Sequence, residues 1–311
     1  MTAQIFDGTI LRDRYFAEAK QTMARTSVTP GVALVAVDHD PMATTTFAMH
    51  VRVFEKLGFR VRPVLLPGPG DEAVMLATIE ELNADPQIDV IQALSPMPDS
   101  IDLRRVIAAI DPVKEAEGLN LAHSMHMNPL SLTPALRPPL APVAMKALLA
   151  EVGFIWSGSE VVILADQRVV AKTPLGQMIL RNGLMSVVPF DAVAHVVPFD
   201  HPRARQITRH ADLVLVVAHD PQVFTAEWVK PGAVVVDINN IAVLPRTPEE
   251  RFKVVGGVQV ESVSQVAGVV APIPGGFGPA LMGAFAARIV QVAVQRRETL
   301  ATSAGAVLSA R

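Results

Sequence analysis

The chain has 311 residues, half of them hydrophobic and 18% charged, with a formal net charge of −3 and no cysteine. That composition describes a globular protein with room for about two domains and a large core, and excludes a disordered chain. The slightly acidic balance leaves no electrostatic footprint for nucleic acid, the lack of cysteine excludes a disulfide scaffold or thiolate chemistry and suits the cytoplasm, and no run of 18 apolar residues reads as a membrane span.

Met1 to Lys20 carries early charges and no apolar core, so it does not read as a signal peptide. Val32–Val37 reads as a buried strand and Phe47–Leu57 as a helix ended by Gly58. Phe59–Leu66 is a second strand, Asp71–Asn83 a helix with an acidic first turn, Val90–Leu94 a third strand and Leu103–Ile110 a short helix. This βαβαβ order predicts a parallel sheet with helices on its faces. Prolines at 129, 134, 138, 139 and 142 mark a domain junction. A second α/β series follows, with strands at Val161–Leu164, Val193–Val197, Leu213–Val217 and Ala233–Asp237 and helices at Leu175–Asn182 and Arg203–His210. Its nearly continuous apolar strands predict burial on both faces. Val187–Asp191 recurs as Val196–Asp200, a local duplication that lengthens one loop rather than a solenoid.

Pro272–Pro279 holds three prolines and three glycines in eight residues, which neither a helix interior nor a strand interior accepts. It predicts a rigid, bare loop whose backbone groups a ligand can approach; the plain alternative is a connector. Ala280–Gln295 then reads as an apolar helix.

Several blocks, in order, resemble the bifunctional methylenetetrahydrofolate dehydrogenase/methenyltetrahydrofolate cyclohydrolase family (FolD). Asp40-Pro41 opens a helix that ends Glu55-Lys56-Leu57-Gly58, like the family's first helix. Ile91-Gln92 with Pro96 and Pro98 resembles its Val-Gln-Leu-Pro-Leu-Pro, and Pro112 to Gly118 its Pro-x-Lys-Asp-Val-Asp-Gly. Trp228 to Asp237 is a close match, and Pro272 to Pro279 resembles Pro-Val-Pro-Gly-Gly-Val-Gly-Pro, the most specific block. The resemblance implies an α/β protein of two domains: an N-terminal α/β substrate domain (residues 1–139 and 280–311) and a Rossmann-like NAD(P)-binding domain (140–279). A C-terminal helix returns to the first domain, and a cleft lies between the two. It also implies a folate substrate, NAD or NADP as hydride acceptor, no metal, and a homodimer joined through the nucleotide domain.

The chain departs from the family where the family's chemistry sits. The family's first helix carries Tyr-x-x-x-Lys, the tyrosine stacking on folate and the lysine assisting the cyclohydrolase step. Here Thr46 and His50 hold those positions, Phe47 is the nearest aromatic, about 100° around the helix, and the only tyrosine, Tyr15, is too far upstream. His50 reads either as a general acid/base near neutrality or as a helix residue without a catalytic part. Glu117 falls where the family anchors the pterin ring with aspartate, and Gln92 is kept. Pro274, Gly275 and Gly276 are the loop's candidate substrate contacts.

The nucleotide loop, Gly-Arg-Ser-x-Ile-Val-Gly in the family, is Ala165-Asp166-Gln167-Arg168-Val169-Val170-Ala171 here. Alanine narrows the approach of a pyrophosphate, Asp166 replaces an arginine, and Arg168 or Lys172 could restore positive charge. Asp200 stands where the family has the basic reader of the NADP 2′-phosphate, which favours NAD. Asn240 lies in the loop equivalent to the family's Asp-Val-Gly-Ile-Asn. His123 and His126 lack a carboxylate or cysteine partner and do not read as a metal site. The resulting expectation is oxidation of 5,10-methylenetetrahydrofolate by hydride transfer to NAD(P), with cyclohydrolase activity weak or lost. The alternatives are a degenerate member that binds a ligand or partner, or an enzyme repurposed for another substrate.

Overall fold

The computed structural model describes residues 2–124, 137–170, 188–189, 191–244 and 252–309. The expected helix Leu175–Asn182, Ala171, Lys172 and His126, and part of the first copy of the repeat, lie outside them. The chain forms two compact units: Arg14–Leu140 with Gly283–Arg311, and Met1–Asp13 with Ala141–Met282.

Strand β1 (Gln4–Ile5) belongs to the second unit. The first unit is built on three parallel strands, in which β2 (Gly31–Asp38) lies between β3 (Arg60–Pro67) and β4 (Val90–Ala93). Every residue of β2 but Asp38 is buried, as its unbroken apolar run requires. Helix α1 (Thr9–Thr26) precedes β2 and α2 (Pro41–Leu57) follows it. α2 starts six residues earlier than its apolar pattern suggests because Asp40 accepts from Ala43 N at 2.8 Å and Pro41 sits in the first turn, where a missing N–H costs nothing. Gly58 ends it with φ of 89°. α3 (Glu72–Ala84) is capped by Asp71 and buries Met75, Ile79 and Leu82 against Ala33, Val35, Val37 and Ile91. α4 (Leu103–Ala109) is capped by Asp102 and adds Val106 and Ile107 to that core.

The second unit holds β5 (Glu160–Ala165), β6 (Val193–Pro198), β7 (Leu213–Val217), β8 (Val234–Asp237) and β11 (Val269–Ala271). With β1 they form one sheet of order β1-β11-β8-β7-β5-β6, parallel throughout. β9 (Ile241–Val243) and β10 (Lys253–Val255) pair antiparallel beside it. After β6 the chain returns to the opposite side of β5, so the strand order reverses between β5 and β7. In open α/β sheets, ligands bind outside the carboxyl ends of the strands at such a point.

Four sequence expectations change. Met1–Asp13, read with the first domain, belongs to the six-stranded sheet, because Gln4 and Ile5 pair with Val269 and Val270. The two units divide between Leu140 and Ala141, inside the proline cluster, and the prolines at 138, 139 and 142 there open a helix, Leu140–Glu151, rather than a longer connector. Helix Thr9–Thr26 was not foreseen, since its apolar residues are too sparse to show a stripe. Finally, Phe277–Thr302 is long and apolar enough to cross a membrane by length and composition, but most of it is buried in the fold, as in the core helix of a globular protein.

The proline/glycine turn shows why glycine is needed there. A Cβ on Gly276 would lie 2.6 Å from Ala271 C and 2.7 Å from Pro272 O. The same residue's N–H bonds Pro272 O at 2.7 Å, and Gly8 N bonds Gly275 O at 2.8 Å. Gly276→Ala should therefore destabilise the protein by roughly 3 kcal/mol, whereas Gly278→Ala, with nothing within 4 Å of the new methyl, should be neutral or stabilising by up to about 1 kcal/mol. Urea unfolding of the two variants checks this; equal midpoints would refute the steric account.

Candidate functional site

In the first unit the candidate residues gather around the loop that follows α4. Glu115 is buried and its carboxylate accepts from the backbone N–H groups of Glu117 (2.6 Å), Leu119 (2.9 Å) and Asn120 (3.2 Å). His123 Nε2 lies 3.1 Å from Glu115 Oε2, an ion-pair distance with off-line hydrogen-bond geometry. Burial alone would raise the Glu115 pKa, but His123 and the N–H donors outweigh it and hold the group below the usual carboxylate range. His123 thus has the carboxylate partner that its sequence neighbourhood did not show.

Cations in and around the same loop fix it by hydrogen bonds to backbone carbonyls. Lys114 Nζ donates to Leu82, Asn83 and Asp85 carbonyls at 2.7–2.9 Å. Arg137 Nη1 donates to Pro112 O and Glu115 O, and Arg288 Nη1 reaches Pro138 O at 3.1 Å. Glu117 itself is held at both ends, its N–H by Glu115 and its carbonyl by Leu140 N at 2.8 Å.

The Glu117 side chain is the contrasting carboxyl. It remains partly accessible, yet desolvation, and then the negative Glu115, push its pKa up to about 8 against the opposing hydrogen bond from Gln92. Gln92 sits on β4 opposite Leu34 and is buried, and its Oε1 has no hydrogen-bond partner. An acceptor left bare in this way suits a ligand bearing N–H donors. Gln92 and Glu117 are therefore brought together, as their candidacy requires.

On α2, His50 Nδ1 lies 2.8 Å from the Thr46 carbonyl. A carbonyl only accepts, so Nδ1 carries the proton and Nε2 keeps its lone pair. Burial lowers the His50 pKa despite that bond, and the ring packs edge-on to Phe54 at 5.9 Å. His50 is thus a neutral imidazole, not a fixed cation. Phe47, expected as an aromatic face for substrate, is buried at 9% exposure and belongs to the core side of α2; that expectation is corrected.

In the second unit the strand ends at the topological reversal carry a closed charge network. Arg168 bonds Asp166 through Nε (3.0 Å) and Nη2 (2.6 Å), and through Nη2 also bonds Asp220 at 2.7 Å. His219 Nδ1 lies 2.9 Å from Asp220 Oδ1. Arg168 is therefore engaged, and does not supply the free positive charge expected of it. Ala165 is buried, its carbonyl accepting from Phe199 N, while Gln167 is exposed. Asp200 is exposed just beyond β6. Asn240 is exposed, and its neighbour Asn239 ties β8 to β7 by donating to Ala218 O at 2.8 Å.

Asp237 is buried and accepts from Val258 N and Gly257 N. Desolvation raises its pKa to about 6 against those bonds. In the 272–276 turn, Pro274 is exposed, but Gly276 is buried and its N–H is spent within the turn, so Gly276 shapes the loop and is not itself a ligand contact. Asp220, His219 and Glu115 were missed from sequence. The first two follow β7 across the reversal point, a signal available once the strand order is known. Among the described residues no cluster of metal-ligating side chains occurs.

A sequence model of the tetrahydrofolate dehydrogenase/cyclohydrolase catalytic domain matches residues 6–117, and that of the NAD(P)-binding domain matches residues 139–297. The chain belongs to the tetrahydrofolate dehydrogenase/cyclohydrolase family. The bifunctional protein FolD of Parvibaculum lavamentivorans is 32% identical over 286 residues, covering 89% of this chain and 91% of its own. That of Bordetella avium is 30% identical over 299 residues, covering 94% and 98%. The methylenetetrahydrofolate dehydrogenase-cyclohydrolase of Trypanosoma brucei, solved with NADP and an inhibitor, shares the fold at a TM-score of 0.80 and 23% identity, covering 96% of this chain and 99% of that one. The NAD-dependent 5,10-methylenetetrahydrofolate dehydrogenase of Saccharomyces cerevisiae does so at 0.69 and 14%, covering 97% and 100%. Within the tetrahydrofolate dehydrogenase/cyclohydrolase family, then, this chain shares the fold, brings Gln92 and Glu117 together in its first unit, and carries Asp166 and Asp200 at the carboxyl ends of β5 and β6.

The Glu117 pKa of about 8 has a signed consequence. Between its unfolded value near 4.5 and about 8 the folded state holds the extra proton, so this contribution is complete at low pH and is lost as pH rises through 8. Urea unfolding between pH 5 and pH 9 should show wild type losing roughly 3 kcal/mol more than Glu117→Gln. Asp237 adds a slope of the same sign lower in the range, so the difference between the two proteins is the relevant quantity. Identical pH profiles would refute the assignment.

Proposed function

We propose that the protein oxidises 5,10-methylenetetrahydrofolate to 5,10-methenyltetrahydrofolate by hydride transfer to a nicotinamide dinucleotide, NAD in preference to NADP, and that the cyclohydrolase step is lost. The observation that carries this reading is an uneven change within one unit. Glu117, a carboxylate where the resemblance puts the family's aspartate, pairs with Gln92, while α2 offers Thr46 and a neutral His50 where the resemblance puts Tyr and Lys.

Glu117 and Gln92 bind and orient. The bare Gln92 Oε1 and the Glu117 carboxyl form an acceptor edge for the N–H donors of an aminopyrimidine ring, and Glu117 gives up its proton as those donors arrive. The loop around Glu115 holds that edge still, so positioning costs little when substrate binds. Hydride transfer needs this positioning more than it needs a protein base. Hydrolysis of the methenyl product also needs water activated beside a developing charge, and a neutral His50 supplies no standing cation for it.

A bound nicotinamide dinucleotide would supply the hydride acceptor. The reversal of strand order between β5 and β7 suits one, and the exposed Asp200 past β6 suits a ribose diol and opposes a 2′-phosphate. Assembly as a homodimer belongs to the same reading; the edge strand β6, with Val193 and Val196 exposed, supports it.

Steady-state assays that follow methylene oxidation and methenyl hydrolysis separately test the proposal. Wild type should oxidise the methylene substrate with NAD and hydrolyse the methenyl compound near the uncatalysed rate. Thr46→Tyr combined with His50→Lys should raise hydrolysis by about 100-fold and leave oxidation within about three-fold, the two reactions sharing the Glu117 anchor. Hydrolysis by wild type at a rate matching its oxidation would refute the proposed loss.

A further inference from the structure

The C-terminal helix, Phe277–Ser309, carries two consecutive arginines that are used differently. Arg297 Nη2 pairs with the buried Asp89 carboxylate at 3.1 Å, and Asp89 in turn accepts from Gly31 N at the start of β2. Arg296 has no carboxylate partner among the described residues. Its Nη1 donates to Ile88 O at 2.7 Å, and its other nitrogens make no hydrogen bond there. Arg137 is in the same position. It is buried at 7% exposure, and only its Nη1 is engaged, by Pro112 O and Glu115 O. Burial lowers the Arg137 pKa; attraction to Glu115 and Asp111 opposes that, and repulsion by Arg296 adds to it. Two guanidiniums therefore sit near enough to repel each other, each with donors to spare.

Both arginines line one cavity of about 670 Å³ within the three-stranded unit, a size that suits a small organic molecule. Val113 and Leu300, apolar side chains that are 45% and 58% exposed, line it as well. Helical spacing sets Leu300 on the same face as Arg296. Glu298, exposed, is the one acid among the described lining residues. The cavity is separate from the Gln92–Glu117 pair. Ile88, which anchors Arg296, lies two residues before β4, whereas Gln92 is the third residue of that strand and sits opposite Leu34. Arg296 is thus held at the amino ends of the parallel strands, and the acceptor edge lies toward their carboxyl ends.

We propose that this cavity is a second ligand site, for an organic oxyanion whose carboxylate or phosphate group is held by the Arg137 and Arg296 guanidiniums and whose apolar body lies against Val113 and Leu300. A buried cation without a counter-ion is costly, so an anion that reaches Arg137 is stabilised by more than a surface charge would offer. Planar guanidiniums suit carboxylate and phosphate alike, because each can present two parallel N–H groups to two oxygens. Positive charge outweighs Glu298 in the lining, and the apolar pair favours an anion with a carbon skeleton over a bare ion. The inference stands apart from the dehydrogenase reading, since every residue it uses lies outside the acceptor edge and the six-stranded sheet.

Calorimetric titration of the full chain with phenyl phosphate, benzoate, inorganic phosphate and phenol, at low and at high salt, tests this. Phenyl phosphate, benzoate or both should bind at least about ten-fold more tightly than inorganic phosphate, which lacks the apolar body, and than phenol, which lacks the charge. Binding of one aromatic anion and not the other assigns the site to phosphate or to carboxylate. Arg296→Gln should weaken the bound anion by about ten-fold. Glu298→Gln removes the opposing charge and should tighten it by about two-fold at low salt, an effect that high salt should erase. A purely structural Arg296 would not give these opposite responses. If Arg296→Gln does not fold, Glu298→Gln, on an exposed residue, decides by itself.

Wild type that binds neither aromatic anion would overturn the inference. So would binding whose affinity is the same in Arg296→Gln and Glu298→Gln as in wild type, because the anion would then sit elsewhere. Neither result bears on the dehydrogenase reading, which is decided by the oxidation and hydrolysis assays.

Discussion

Putting an ionised carboxylate inside a protein is costly unless nearly every lone pair finds a donor, and the loop after α4 is shaped by how Glu115 meets that demand. Three consecutive-region N–H groups and His123 turn toward it. Because those N–H groups belong to residues 117, 119 and 120, satisfying the buried charge bends the backbone into the one path that delivers Glu117. Arg137 then occupies the Pro112 and Glu115 carbonyls of that path, Lys114 ties it to the carbonyls at the end of α3, and Arg288 holds the Pro138 carbonyl next to it. The charged side chains here are spent on backbone, and the one carboxyl left for chemistry is the one they do not neutralise.

The same division of labour appears in the other unit. Asp237 and Asp166 have their oxygens committed, the first to the backbone at Gly257 and Val258 and the second to Arg168. Asp200, on the neighbouring strand end, is exposed. In both units a satisfied acid supports the geometry and an adjacent, less satisfied acid faces outward. Reading all acids at such a site as equivalent would assign function to the wrong member of each pair.

Most of the fold was legible because it rests on local rules. Buried parallel strands such as Leu213–Val217 announce themselves as apolar runs, and Asp40, Asp71 and Gly58 mark helix ends through capping chemistry. What stayed hidden depends on distant partners. Strand β1 is only two residues long and exists because β11 offers it an edge. Helix Leu140–Glu151 begins inside a proline cluster that, taken alone, reads as a break. At the sites, spacing and resemblance located Glu117, Gln92, His50, Asp166 and Asp200, but could not say which were ionised or engaged. Phe47 looked available until α2 was seen to turn it inward, and Arg168 looked free until Asp220 arrived from a strand 52 residues further along.

The long helix Phe277–Ser309 begins in one compact unit and, from Gly283, completes the other. The three-stranded unit is therefore discontinuous in the chain: its strands are synthesised early, but the segment that supplies Phe285 to the Phe54 cluster and Arg297 to Asp89 comes last. During translation the six-stranded unit, which takes its first strand from Met1–Asp13, has all its parts by Met282, and the three early strands wait with an uncovered apolar face until the segment from Gly283 onward is made. Shortening this chain from its C-terminal end would thus injure the half encoded at its beginning.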